Sequence, residues 1–152
     1  MKSKYRQIQV AALKGKLDLP AAVIAETPKE LGARCQLRFR ESNDDLDSTF
    51  EAFVQTADGH QFGLVCHKHA PKPGIELILP VTEKNAATRL GEVLNLLSIR
   101  KQDLGWINPV IKRQLTGKKP ADYSKSGVGR GLAGASRVRE TSVRRRAKIS
   151  QD

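Results

Sequence analysis

The sequence predicts an α+β fold: a small antiparallel sheet of about four strands, one main helix, and a basic C-terminal tail. Three observations carry that expectation. Asp58-Gly59 lies between two apolar, β-rich runs, "STFEAFVQTA" and "HQFGLVCHK", which is the pattern of a tight β-hairpin. Residues 83–97 set Ala86, Leu90, Val93, Leu94 and Leu97 on one stripe at helical spacing. Charge is partitioned along the chain: residues 1–110 hold 15 basic and 13 acidic side chains, and residues 111–152 hold 12 and 3. Hydrophobic residues form 39% of the 152, a low share for a wholly globular chain, which fits a core with a polar extension.

The elements follow in order. Residues 3–14 fit a short helix or a strand. "DLPAAVIAETPKELG" reads as helical pieces, because Pro20 suits a first turn. Thr27 and Glu30 make a capping-box pattern around Pro28, and Gly32 supplies a stop. "ARCQLRFRE", residues 33–41, alternates: Ala33, Cys35, Leu37 and Phe39 point one way, Arg34, Gln36, Arg38 and Arg40 the other. Period two predicts a strand with one face buried and one wet. An acidic loop with Glu41, Asp44, Asp45 and Asp47 follows.

The hairpin is expected over 49–68. A two-residue type I′ turn at Asp58-Gly59 sets Phe53 opposite Leu64, with Phe62 and Cys66 on their face. Phe50, Ala52, Val54 and Val65 then line the other face. "IELILP" reads as the fourth strand, ended by Pro80, and Thr82 as the cap of the main helix. Trp106 is expected to pack back on the core, with Asn108-Pro109 closing the domain. Beyond it Gly, Ser and charge dominate, and such a segment buries too little surface to offset its ordering entropy. The expected organisation is a domain over 1–112 and a flexible tail over 113–152.

Function is read from the charge. Half of "RVRETSVRRRAK", residues 137–148, is Arg or Lys. Such side chains neutralise phosphates and release condensed counterions, so they bind nucleic acid without reading its sequence. The candidate nucleic-acid-binding residues are Arg34, Arg38 and Arg40 on the expected strand, and Lys118, Lys119, Arg130, Arg137, Arg139, Arg144, Arg145, Arg146 and Lys148 in the tail. On a strand the three arginines would stand about 6.6 Å apart or multiples of it, close to the spacing of phosphates along an extended single strand. Tyr123 is the tail's single aromatic, so backbone contact is expected rather than base stacking. The leading expectation is a non-enzymatic protein that binds RNA or DNA, within a ribonucleoprotein or DNA-processing assembly. The alternative is an adaptor whose basic tail clamps an acidic protein surface. A continuous positive surface through Arg34, Arg38 and Arg40 favours the first; a large exposed apolar patch favours the second.

Other chemistry is weakly signalled. "HQFGLVCH", residues 60–67, partly resembles the aromatic strand of RNA-recognition-motif domains at Phe62, Gly63 and Val65. Leu64 and His67 stand where that pattern has aromatics, so Phe62 and Leu64 read as core. In "CHKH", a strand would turn His67 and His69 one way and Cys66 the other, too few ligands for a structural zinc. "GVGRGLAG" lacks the strand and the ending of a phosphate-binding loop. No metal or cofactor is expected. No segment is apolar and long enough to span a bilayer. The two cysteines, Cys35 and Cys66, read as reduced thiols. The expected setting is cytoplasmic, or nucleoid- or ribosome-associated.

Overall fold

The structure, a computed structural model, describes residues 4–117. Ten elements follow in order: β1 (Tyr5–Ile8), β2 (Leu17–Ile24), α1 (Pro28–Cys35), β3 (Arg40–Asn43), β4 (Ser48–Thr56), β5 (Gln61–His67), β6 (Ile75–Pro80), α2 (Ala86–Leu96), β7 (Leu104–Ile107) and α3 (Pro109–Thr116). The class is α+β, but the strands form one sheet of seven rather than about four, in the order β1-β4-β5-β6-β2-β7 with β3 also on β4. Every recorded pairing is antiparallel. The tail's expected flexibility, and its candidate residues from Lys118 onward, lie outside the described residues.

The hairpin forms, with a different turn and register. Thr56 N donates to His60 O at 2.8 Å and Gly59 N to Thr56 O at 3.0 Å. The loop is therefore three residues, Ala57 to Gly59, and Gly59 takes φ +90°. A three-residue loop closed by a left-handed glycine replaces the expected two-residue turn. The extra residue slides the register by one, so Phe53 faces Gly63, Ala52 faces Leu64 and Val54 faces Phe62. One slip exchanges the faces of a whole strand. Ala52, Val54, Phe62 and Leu64 therefore share the core face, and Phe53 and Val65 lie on the other.

That core face is continuous. Ala22 pairs with Leu77, Leu77 with Leu64 and Leu64 with Ala52. These residues join Leu31 of α1, Leu90 and Val93 of α2 and Ile111 of α3 in one buried cluster. All three helices thus cover the same face. Phe62 and Leu64 are core residues, at 1% and 0% exposure, as expected above.

Other expectations are corrected. Residues 17–24 are strand β2, not helix. It sits between β6 and β7, and its register shifts around Pro20, where a bulge tolerates a residue without an N–H. Residues 33–36 belong to α1 and its cap, not to a strand. Thr27 caps this helix as predicted, accepting from Glu30 N at 3.2 Å while Glu30 accepts from Thr27 N at 2.9 Å. Gln36 ends it at φ +54°, and Leu37 N reaches back to Gly32 O at 2.9 Å, a left-handed helix stop. Trp106 lies on edge strand β7, 43% exposed, rather than on the core. The main helix starts at Ala86 after Asn85, not Thr82, and α3 carries the chain through residue 112.

Candidate nucleic-acid interface

The expected row of three arginines does not exist. Arg34 lies on α1, where Nη2 is 2.6 Å from Glu26 Oε1 and Nη1 donates to Leu97 O. The bond to Glu26 raises the Arg34 pKa above its ordinary value. Arg34 thereby ties α1 to the end of α2 and does not line the cavity that Arg38 and Arg40 share.

Arg38 and Arg40 do stand together. Burial alternates from Leu37 to Arg40, so the alternation read from the sequence holds over these four residues. Leu37 and Phe39 turn inward, at 6% exposure for Leu37, and both guanidinium side chains turn outward. Arg38 and Arg40 line a cavity of about 430 Å³ with Gln7, Gln9 and Phe53. Gln7 locks the spot: its amide oxygen accepts from Arg38 N at 2.8 Å and its amide nitrogen donates to Arg38 O at 2.5 Å. No local pattern marks Gln7 for this role, because its partner is 31 residues away.

A larger groove, about 610 Å³, opens beside α1 and the adjoining ends of β4 and β5. Leu37, Phe39, Phe50 and Cys66 line it, with Lys29 and Lys68 among its polar residues. The Lys68 ammonium lies 4.9 Å from the centroid of the Phe50 ring and pairs with Glu41. Burial raises the pKa of the Cys66 thiol, so it is held in its neutral, poorly nucleophilic form. Cys66 and Phe50 are opposite each other across β4 and β5, a pairing that the two-residue turn would have split between faces.

Comparison with known proteins gives no guide. No family model matches the chain, and no curated protein and no solved structure is significantly similar to it.

His60 and His67 are engaged by other side chains rather than clustered. His67 Nδ1 bonds Asp47 on the sheet's outer face, and Nε2 lies 3.4 Å from Glu76 Oε2. Among the described residues no group of three His, Cys, Asp or Glu side chains is placed to hold a metal ion. Asp47 first, then Glu76, raises the His67 pKa above its ordinary 6.5, and His67 lowers that of Asp47 below its ordinary 3.8. A raised histidine stabilises the fold fully below its unfolded pKa, and the contribution is lost as pH rises through the folded one. A lowered aspartate contributes above its unfolded pKa and loses that as pH falls. Stability is therefore expected to decline as pH rises above about 6.5, and His67→Gln should flatten that decline. Urea midpoints across this range check it; an unchanged slope in the variant would remove the assignment.

Proposed function

We propose that this chain is a non-enzymatic nucleic-acid-binding protein whose affinity comes chiefly from contacts to the sugar-phosphate backbone. The observation that carries this reading is the charge partition. Residues 4–117 hold 16 basic and 13 acidic side chains, whereas residues 118–152 hold ten and three. Within the folded part four of the arginines, Arg6, Arg34, Arg89 and Arg100, bond to protein groups. The excess cation therefore sits on Lys118, Lys119, Arg130, Arg137, Arg139, Arg144, Arg145, Arg146 and Lys148, with Lys125, and Arg38 and Arg40 add two more from the domain. No helix among the described residues is long and apolar enough to cross a membrane.

The test is a salt titration of the full chain against single-stranded and duplex RNA and DNA. The logarithm of affinity should fall linearly with the logarithm of salt, by about 0.7 per phosphate contact on single strands. Absence of binding to any of the four near physiological salt would refute the reading.

A second reading is an adaptor, favoured by the 610 Å³ groove. Its apolar floor of Phe39, Phe50 and Cys66 suits an apolar side chain from a partner protein, and no Asp or Glu lines it. In that case the basic segment would clamp an acidic surface of the same partner.

A further inference from the structure

We propose that the break between β1 and β3 is a binding site for the backbone of a single-stranded nucleic acid, with Arg38 and Arg40 on successive phosphates. The site arises from the topology. β5 occupies one edge of β4 from Thr49 to Gln55. β1 and β3 share the other edge, end to end: β1 pairs with Phe53–Thr56 and β3 with Ser48–Glu51. Ala52 lies between them with neither strand opposite it, and the 430 Å³ cavity opens at this break.

The charges there are poised for an outside anion. Arg38 and Arg40 are exposed, and neither guanidinium makes an ion pair or hydrogen bond to any described residue. Two carboxylates line the same cavity, and Glu51 stands directly opposite Arg40 in the β3–β4 register. Glu41 pairs with Lys68, and Glu51 accepts from Thr49 Oγ1 at 2.8 Å. The two arginines thus lack the partners that the chain gives Arg6, Arg34, Arg89 and Arg100.

Geometry then selects the ligand. Arg38 and Arg40 are two residues apart, a step of about 6.6 Å in extended chain, near the step between phosphates of a stretched single strand. The pair of hydrogen bonds between Gln7 and the Arg38 backbone fixes that backbone before any ligand arrives, which lowers the ordering cost of binding. Ile8, Val10 and Phe53 supply an apolar wall beside the arginines, a surface for a sugar or an unstacked base. The single-strand assignment rests on the nucleic-acid reading above; the anion site does not.

The experiment compares the full chain with its R38Q/R40Q variant. Binding of a fluorescent thymidine oligonucleotide is measured from 0.05 to about 0.5 M salt. Loss of two phosphate contacts should flatten the salt slope by about 1.4 and weaken binding about 25-fold at 0.1 M salt, with duplex binding affected less. Equal affinity and equal slope in the two proteins would overturn the site while leaving the wider reading intact. If the unaltered chain binds no oligonucleotide, the wider reading fails, and inorganic pyrophosphate becomes the probe. The side-chain Nε–H signals of Arg38 and Arg40 should then shift ahead of those of the other arginines. Uniform shifts, or none, would overturn the anion site. The same pyrophosphate titration decides the case if the double variant does not fold.

Discussion

Replacing Arg89 by alanine is expected to cost about 3 kcal/mol of folding stability, near 10 °C in Tm for a domain of this size. Arg89 projects from α2 with its side chain only 15% exposed. Its Nε lies 3.4 Å from Glu83 Oε2, also 15% exposed, within ion-pairing range but out of hydrogen-bond line. One Nη pairs with Glu92 and lies 3.8 Å from Asp58 Oδ2; the other is 2.8 Å from His60 Nε2. One guanidinium thereby joins α2, the segment leading into it, and the tip of the β4–β5 hairpin. Alanine would leave the half-buried Glu83 beside no cation, and the desolvation cost of a stranded charge exceeds the value of the pair it came from. It would also remove the aliphatic stem that covers apolar surface. Arg89→Met separates the two effects, because it restores the stem without the charge. Methionine should recover about 1 kcal/mol of the loss. Urea unfolding of the three proteins decides it. A cost below about 1 kcal/mol for alanine would mean that solvent screens this network like an ordinary surface cluster.

Arg89 also marks the limit of what the sequence makes legible. Its helix is legible because its apolar residues repeat within one element. Its partners are not: His60 lies 29 residues away, and no local pattern reports it. The same distinction runs through the fold. The hairpin and the capping box at Thr27 are short-range features, and both are present. The strand β2 is hidden, because "LPAAVI" has the alanines of a helix and a proline in its middle, while its partners β6 and β7 come some 50 and more residues later. Around Cys35 two periods overlap. Leu31 and Cys35 are four apart, as a helix face requires, and Cys35, Leu37 and Phe39 alternate, as a strand requires. The switch lies at Gln36, whose left-handed φ of +54° is one that a residue other than glycine rarely signals. Splitting the segment there removes Arg34 from the candidate site and keeps Arg38 and Arg40. Why those two matter is a property of topology: the break they border exists because β1 and β3 meet on one edge of β4.

Deleting residues 118–152 is expected to have the largest effect on binding. The segment holds ten basic and three acidic side chains. If about five of those cations meet phosphates, the slope against log salt should flatten by about 3.5, and affinity at 0.1 M salt should fall by about 3,000-fold. The truncated chain keeps the whole buried cluster from Ala21 to Ile111, so its unfolding midpoint should change little. What remains of binding should depend on Arg38 and Arg40, and R38Q/R40Q placed in the truncated chain should remove it. Backbone contact makes a further demand, because phosphates carry no sequence information. Scrambling residues 118–152 at fixed composition should leave affinity within about threefold, whereas Arg144, Arg145 and Arg146 changed together to glutamine should lower it by about 100-fold at 0.1 M salt. The alternative orders these variants differently. A basic segment that clamps one acidic protein surface must match the placement of its carboxylates, so scrambling would weaken that contact as much as neutralising three arginines. Loss on scrambling, with nucleic-acid binding unmoved by truncation, would transfer the function from a polyanion to a protein partner.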